Sequence, residues 1–182
     1  AIDIKGLRHI NDKLGPRIGD ECIKTVACRI SEFSDEFGGM HARIGGDEFL
    51  TVFPSSAVSE KKCGIEGLIA RLQECYTIQT LKINLQFSTG VLQYPAQGTA
   101  SDDLVRRVLI AVENAANNQN HIHYYQDGED EAHLDRLIML DELKQAISDD
   151  DGQLFMTYQP KLHMQTQKMD KVESLIRWQR KD

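Results

Sequence analysis

The sequence predicts an α/β fold in which a central β-sheet is flanked by helices. Short β-rich runs alternate with longer segments whose apolar residues recur at helical spacing. In chain order the patterns give a strand, a helix, a hairpin, a helix, strands, a helix and a strand, and this alternation favours a sheet covered by helices. With 182 residues, of which 41% are hydrophobic, the chain can form one full domain and part of another.

The first strand and the first long helix are predicted near the N-terminus. "AIDI" is typical of the end of a strand, since β-branched residues alternate with a polar one. "PRIGDECIKTVACRISEF" has apolar residues at helical spacing, and Pro16 suits a first helical turn. This segment is therefore predicted to be a helix.

The stretch "ARIGGDEFLTVF" predicts a β-hairpin with an unusual turn. "MHARI" and "EFLTVF" are apolar runs separated by Gly45, Gly46 and Asp47, as in a tight hairpin. Adjacent glycines cost backbone entropy and bring no side chain to pack, so a plain core strand has no use for them. Glycines permit positive φ at such a turn, and we expect a ligand to come close to its main chain.

The rest of the first domain follows the same alternation. "SSAVSEKKCGIEGLIARLQECY" and "SDDLVRRVLIAVENAANN" are helical by period and by their Ser or Asp starts. The stretch between them, "TIQTLKINLQFSTGVLQYP", is β-rich and ends near Pro95 and Gly98. "HIHYY" is predicted to form the last strand of this domain.

The composition changes near residue 127. "QDGEDEAH" is acidic and hinge-like, "LDRLIMLDELKQAI" has helical spacing and stops before Gly152, and "QLFMTYQPKL" and "KVESLIRW" are strand-like runs around a polar turn. These patterns predict a first domain over residues 1–126, a linker and helix over 127–152, and the start of an incomplete second domain over 153–182.

Charge and composition exclude some classes of partner and environment. A net charge of −7 argues against nucleic acid and anionic lipid as partners. No apolar run approaches the roughly 20 residues that cross a bilayer, so we expect a soluble chain without membrane contact. The four cysteines lack metal-ligand spacing and fall in helix-like stretches, which predicts reduced core thiols in a cytoplasmic protein; they are Cys22, Cys28, Cys63 and Cys75.

Three carboxylates are candidates for a metal site. Asp47 and Glu48 stand at the start of the second hairpin strand, and Asp3 alternates with two isoleucines on the first strand. Carboxylates beside bare backbone can hold a hard cation such as Mg²⁺, which neutralises phosphate charge. The alternative is a hairpin turn whose acidic residues are simply solvated, and the residues alone leave both open.

The stretch "RIGGDEF" resembles the signature motif of the GGDEF domain, the diguanylate cyclase family. "DIKGLRHINDKLGPRIGD" is similar to that family's upstream pattern, and the resemblance covers residues 1 to about 126. It implies a cyclase-like central sheet and an enzyme that joins two GTP molecules into cyclic di-GMP. It also implies a homodimer, each domain of which presents one GTP to the other.

The resemblance assigns metal and catalytic roles to four residues. Asp3 and Asp47 match the acids that bind Mg²⁺ or Mn²⁺, and the carbonyl of Ile4 matches a main-chain ligand. Glu48 matches the acid that helps to deprotonate the attacking 3′-hydroxyl, and it is included with the metal set. Asp3, Asp47 and Glu48 are therefore the expected catalytic residues.

The resemblance also implies substrate contacts. Asn11 and Asp20 match the pair that reads the guanine edge, a role suited to an amide and a carboxylate. Taken singly, Asn11 also suits a turn or helix end, and Asp20 a first helical turn. The other expected substrate contacts are main-chain or turn positions: Gly6, Leu7, Arg8, Gly45 and Gly46.

This sequence departs from the family pattern at several positions. Ala116 and Asn120 stand where a Lys and an Arg usually bind GTP phosphates, Leu7 replaces an aromatic residue and Pro16 a histidine. "EFGG" at residues 36–39 replaces the R-x-x-D motif through which the product inhibits many members. Two functions stay open: a cyclase, weakened by the lost cations, or a GTP-binding regulatory domain that no longer turns over and controls a cyclic di-GMP phosphodiesterase domain downstream.

The C-terminal segment has a resemblance of its own. "YQPKLHMQTQKMDKVESLIRW" is similar to the opening of an EAL domain, the cyclic di-GMP phosphodiesterase family, with Glu173 at the position of a metal ligand. The resemblance implies the first strands of a (β/α)₈ barrel of roughly 250 residues, too little of which is present for hydrolysis. The alternative for "KVESLIRW" is an ordinary amphipathic edge strand.

Overall fold

The computed structural model of the chain describes residues 1–54, 64–118, 121–149 and 151–180. The described strands are β1 (Ile2–Lys5), β2 (Met40–Arg43), β3 (Glu48–Val52), β4 (Tyr76–Ile78), β5 (Leu81–Ile83), β6 (Gln86–Val91), β7 (Ile122–Tyr124), β8 (Leu154–Leu162) and β9 (Met169–Trp178). The described helices are α1 (Leu7–Leu14), α2 (Pro16–Phe37), α3 (Ile65–Gln73), α4 (Ser101–Asn117) and α5 (Glu129–Asp149).

The chain divides into two compact units, Ala1–Asp130 and Glu131–Asp182. The first unit contains a five-stranded sheet of order β2-β3-β1-β6-β7, in which β6 and β7 are parallel and the other neighbours antiparallel. A separate hairpin is formed by β4 and β5. The predicted α/β fold, a central sheet flanked by helices, is confirmed for this unit.

The main core lies between one face of the sheet and the helices α1, α2 and α3. Along β1, Ile2 and Ile4 are each 1% exposed, and they pack with residues of α2 such as Val26 and Ile30. Pro16 occupies the first turn of α2, as predicted. Arg29 holds α3 in place, because its guanidinium donates to the carbonyls of Arg71, Glu74 and Cys75 at the end of that helix.

The opposite face of the sheet is covered by α4. A Cβ atom on Gly90 of β6 would lie 2.4 Å from the carbonyl oxygen of Val108, so only glycine lets the helix come this close. Val108 and Val112 of α4 pack with Ala1 and Leu50 on this face. Strand alternation places Asp3 and Glu48 on the same side of the sheet as α4.

The second unit contains most of α5 and the antiparallel hairpin of β8 and β9. Arg180 pairs with Glu142 of α5 across 2.6 Å. Alternation along the hairpin separates a mostly polar face from an apolar one. The apolar face carries Leu154, Met156, Tyr158 and Pro160, which lie opposite Trp178, Ile176, Ser174 and Val172 respectively.

The fold differs from two sequence expectations. Residues 7–14 form a helix of their own, α1, which the sequence analysis did not predict although Leu7, Ile10 and Leu14 have helical spacing. The acidic stretch predicted as a hinge already enters α5 at Glu129, because Asp130 and Glu129 have partners on β7, α4 and Tyr125. The first unit ends at Asp130, close to the predicted boundary near residue 127.

The cysteines follow the prediction only in part. Cys22 is a buried thiol of α2, whereas Cys28 and Cys75 are exposed, and Cys75 lies between α3 and β4 rather than in a helix. These three cysteines are free, and Cys63 lies outside the described residues. In the parts of the chain that the structure describes, none of the helices has the length and hydropathy of a membrane span.

Candidate functional site

A row of polar side chains crosses the centre of the sheet on the side of α4. Asp3 lies opposite Glu48 in the β1–β3 pair and opposite Ser88 in the β1–β6 pair. Side chains at directly opposed positions of antiparallel strands share one face of the sheet. Asp47 adjoins this row, because its carbonyl oxygen accepts a hydrogen bond of 3.1 Å from the amide of Ile4.

The electrostatics of this row are unfavourable for the free protein. The pKa of Asp3 is raised to about 6, first because burial desolvates the carboxylate and then because Asp47 and Glu48 are negative neighbours. Lys5 lowers it by a smaller amount. The three predicted acids therefore lie within electrostatic reach of one another, and Lys5 offsets only part of the effect on Asp3.

The β2–β3 hairpin brings the acids to the sheet, as predicted, with Arg43 opposite Phe49 as the last pair before the turn. The guanidinium of Arg43 donates to the carbonyl oxygens of Gly45 and Gly46 and so fixes the turn. The amide of Ile44 donates to the carbonyl of Glu48 across 3.0 Å. Arg43 was not predicted as a site residue, although its position three residues before Gly46 is visible in the sequence.

The glycines of the turn provide space rather than a left-handed backbone. Neither Gly45 nor Gly46 is among the residues with positive φ, so the turn does not use the conformational freedom that glycine permits. A Cβ atom on Gly45 would lie 2.4 Å from Oε2 of Glu48, whereas one on Gly46 would meet nothing within 4 Å. Gly45 thus makes room for the Glu48 side chain, and Gly46 leaves open space beside the acids.

The segment Gly6 to Arg8 turns the chain from β1 into α1. Gly6 has φ 72° and ψ 16°, the left-handed conformation that favours glycine, and precedes the first helical residue. Leu7 is 6% exposed and belongs to the main core, so only its main chain can face a ligand, while Arg8 is exposed. The main-chain N–H groups at the start of α1 are therefore only a few residues away from Asp3 along the chain.

Asn11 and Asp20 occupy different surroundings. Asn11 of α1 lies against Gly19 of α2, and its Oδ1 atom is buried without a hydrogen-bond partner among the described residues. Asp20 is exposed and lines a cavity of about 520 Å³ between α2 and β4. Asn11 does not line this cavity. The cavity is lined by Arg17, Asp20, Glu21, Lys24, Thr25, Thr77, Ile78 and Gln79.

The positions that depart from the family pattern are also located. Ala116 is exposed near the end of α4, and Asn120 lies outside the described residues. The "EFGG" stretch ends α2: Glu36 pairs with Arg71, and Gly38 closes the helix in a left-handed conformation with φ 66°. Glu36 thus has a structural partner, and Gly38 serves to end the helix.

Glu173 lies on the polar face of the β8–β9 hairpin. It is opposite Gln159 in the register, and its carboxylate pairs with Lys161 across 2.9 Å. Its side chain is 48% exposed. In the described parts of both units, no group of three or more His, Cys, Asp or Glu side chains is already arranged to hold a metal ion.

Two residues near the predicted site were missed by the sequence analysis. Ser88 extends the row of Asp3 and Glu48, and its hydroxyl is fully buried with no hydrogen-bond partner in the described part of the chain. Gly19 makes the contact with Asn11. Ser88 could not be found from local patterns, because they do not give the register of β1 against β6. Gly19 could have been noticed, since it stands next to Asp20 in "RIGD".

Solved structures with the same fold define the class of the first unit. The active GGEEF domain of a diguanylate cyclase from Vibrio cholerae is 26% identical, with a TM-score of 0.56 over 69% of this chain and 80% of that chain. The GGDEF domain of TpbB (YfiN) from Pseudomonas aeruginosa gives a TM-score of 0.65 at 22% identity, over 73% of this chain and 78% of that one.

A family profile described as "Diguanylate cyclase, GGDEF domain" matches residues 1–121. The chain belongs to this family. A curated relative, the bifunctional diguanylate cyclase/cyclic di-GMP phosphodiesterase MucR of Pseudomonas aeruginosa, is 27% identical over 179 residues, which are 98% of this chain and 26% of that protein. The cyclic di-GMP phosphodiesterase NbdA of the same species is 28% identical over 97% of the chain. The chain spans about a quarter of the length of these relatives.

Proposed function

We propose that the first unit binds GTP with Mg²⁺ or Mn²⁺ and condenses two GTP molecules into cyclic di-GMP. The observation that carries this proposal is the row of Asp3 and Glu48 across β1 and β3, with Asp47 beside it. Burial, and then the negative charges of Asp47 and Glu48, raise the pKa of Asp3 to about 6, and a purely structural role does not account for keeping these three carboxylates together. Membership of the diguanylate cyclase family supports the same function.

The donor set of this row suits a hard divalent cation. Mg²⁺ and Mn²⁺ prefer oxygen ligands, and Mg²⁺ keeps several waters when bound by one or two carboxylates. Asp3 and Asp47, with the carbonyl of Ile4, would hold the ion, and its binding would remove the repulsion that the free protein carries. When bound, the cation neutralises charge on the triphosphate.

The remaining site residues bind and orient the nucleotide. Main-chain amides at Leu7 and Arg8 begin a helix, where the free N–H groups and the helix dipole favour phosphate oxygens. The open space beside Gly46 lets a nucleotide approach the hairpin backbone. Asn11 and Asp20 would read the guanine edge, the amide and the carboxylate supplying complementary hydrogen bonds.

Glu48 has the position and chemistry of a proton acceptor. It would take the proton of the 3′-hydroxyl of one GTP as that oxygen attacks the α-phosphorus of the other and pyrophosphate leaves with the electron pair of the broken P–O bond. The same step repeated in the opposite direction closes the ring. Each domain presents one GTP, so the reaction calls for two copies of the unit facing each other.

The second unit is proposed to be the beginning of an EAL-type phosphodiesterase barrel in a cytoplasmic signalling protein. Alignment with MucR covers 98% of this chain and so extends into the second unit. A two-stranded hairpin with apolar residues as exposed as Val172 (60%) and Ile176 (64%) is marginally stable alone. In a protein with the complete barrel, Glu173→Gln should abolish hydrolysis of cyclic di-GMP while leaving any cyclase activity unchanged.

The experiment that tests the cyclase proposal is calorimetry of GTP binding to the parent and to Asp47→Asn, with and without Mg²⁺. We expect the variant to lose about tenfold to a hundredfold in affinity with Mg²⁺, as for one or two charge-assisted contacts, and little without it. Asp35→Asn, at an exposed position of α2, is the control. Equal binding by parent and variant would contradict the metal assignment.

Product analysis separates the two functions that the sequence leaves open. Incubation of the parent with GTP and Mg²⁺, followed by chromatography, should yield cyclic di-GMP. Tight GTP binding without product would instead favour a regulatory GTP-binding domain, for which the exposed Ala116 in place of a phosphate-binding lysine is the supporting observation.

A further inference from the structure

The contact between α1 and α2 depends on a glycine that no side chain could replace without movement. A Cβ atom on Gly19 would lie 1.8 Å from Oδ1 of Asn11, 2.9 Å from its Cγ and 3.4 Å from its Nδ2. Real Cβ contacts are not found below about 3 Å, because atoms repel steeply inside their contact distance. The carbonyl end of the Asn11 amide therefore lies directly against the backbone of α2.

Among the described residues, no hydrogen bond to the Asn11 carbonyl oxygen explains its position. Its Oδ1 atom is buried and has no donor among the described residues. A buried, unpaired amide oxygen costs free energy, so such an arrangement is expected where something else is gained. Because Oδ1 is turned toward Gly19, the amide nitrogen is the end that remains for another partner.

We propose that Gly19 is a positioning residue that sets the preference of the site for guanine by holding the Asn11 amide in one orientation. The proposal rests on the proposed function, in which Asn11 reads the base. A fixed amide NH₂ donates to the acceptors of the guanine edge, where O6 and N7 lie; adenine presents an amino group in place of O6. An amide free to rotate could offer its oxygen to that amino group and would discriminate less.

A methyl group at this position should move Asn11 without unfolding the protein. The clash at Gly19 is with the outer atoms of a side chain that can rotate, and alanine has a higher helix propensity than glycine. Gly19→Ala should therefore keep or raise the Tm. It should also displace the amide, so that stability and base preference respond in different directions.

The test is a double-mutant cycle of Asn11→Ala and Gly19→Ala on the 182-residue chain, with GTP and ATP affinities measured by calorimetry in Mg²⁺. We expect each single variant to lower the GTP-over-ATP preference by about tenfold, the worth of roughly one hydrogen bond. The double variant should show no further loss, since Gly19 acts only through Asn11. Asp35→Ala on the same helix is the control and should retain the preference of the parent.

A second variant tests the position of the amide without altering Gly19. Asn11→Gln keeps the amide but adds a methylene group, so the amide cannot lie where it does against α2. We expect it to fold and to lose the preference as Asn11→Ala does. This arm stands even if Gly19→Ala fails to fold.

The outcomes separate this inference from the function on which it rests. A parent chain that binds ATP as tightly as GTP would remove the proposed function itself. A parent that prefers GTP, combined with an unchanged preference in Gly19→Ala or in Asn11→Gln, would overturn the positioning role alone. Additive losses in the cycle would also overturn it, because Gly19 would then act independently of Asn11.

Discussion

Two acidic groups in the first unit have opposite surroundings. Asp3 is crowded by Asp47 and Glu48, and its pKa is raised to about 6. Asp130, at the start of α5, is only 4% exposed in its side chain and is bound by cations of the protein itself. The comparison sets a carboxylate with negative neighbours against one that is part of the scaffold.

The Asp130 carboxylate is fully engaged. Its Oδ2 atom accepts a hydrogen bond from Nε of Arg107 across 3.0 Å and lies 3.1 Å from Nη2 of Arg106. Its Oδ1 atom accepts a hydrogen bond from the hydroxyl of Tyr125. Arg107 also donates to the carbonyl of Gln97 across 2.8 Å. The pKa of Tyr125 is raised to about 12 by burial and by the hydrogen bond to Asp130. This network joins α4 to the first turn of α5.

The two carboxylates differ in the charge of their neighbours. Folding places Arg106 and Arg107 beside Asp130, so its carboxylate stabilises the native state. At Asp3 the described neighbours are mainly negative, so the native state carries a cost that a bound cation would remove. Substitutions at the two positions should therefore change stability in opposite directions.

The largest effect is expected at Asp130. Asp130→Ala leaves the partly buried Arg107 without its carboxylate and the buried Tyr125 hydroxyl without its acceptor, and leaving such a hydroxyl unpaired costs roughly 2 kcal/mol. Chemical denaturation of parent and variant, monitored by circular dichroism, measures this loss. Asp103→Ala, which removes an exposed partner of Arg106, is the control and should change the free energy of unfolding little. Equal stability of Asp130→Ala and the parent would contradict the scaffold role.

A smaller effect of opposite sign is expected at Asp3. Its pKa is above the ordinary 3.8, so the folded state holds the proton more tightly than the unfolded state. The stability that this group contributes is complete below about pH 4 and is lost as pH rises through about 6. Asp3→Asn should therefore stabilise the metal-free chain at pH 7, on the order of 1 kcal/mol after allowance for solvent screening.

The pH dependence provides the control for that substitution. At pH 4 the parent and Asp3→Asn should have nearly the same free energy of unfolding, because the carboxyl is then largely protonated in the folded protein. Added Mg²⁺ should raise the Tm of the parent and leave that of the variant unchanged. A variant less stable than the parent at pH 7 without metal would remove the distinction between the two acidic groups.

Much of the fold follows from patterns that act over a few residues. The helical spacing and Pro16 predicted α2, and the runs around Gly45 and Gly46 predicted the β2–β3 hairpin, both as found. The prediction missed α1, whose eight residues are mostly polar although Leu7, Ile10 and Leu14 have helical spacing. Long-range contacts decided the start of α5, because distant residues bind its first turn at Glu129 and Asp130.

The candidate site was predicted as a set of residues but not as an arrangement. Asp3, Asp47 and Glu48 could be chosen from residue chemistry and the family resemblance. That Asp3 lies opposite Glu48 and Ser88, and that Leu7 turns its side chain into the core, became visible only in the fold. The hydrogen bonds from Arg43 to the carbonyls of Gly45 and Gly46 likewise became visible only in the fold.

The sequence by itself determined the periodicity of the elements, the family motif and the acidic residues that any metal site must use. These depend on neighbours within one helical turn or one hairpin, whose geometry is the same in every protein. The tertiary structure decided which carboxylates meet, which one is neutralised by Arg107 and which glycine gives Asn11 its place. Those outcomes depend on strand register and helix packing between residues far apart in the chain, and small shifts there change which side chains share a face.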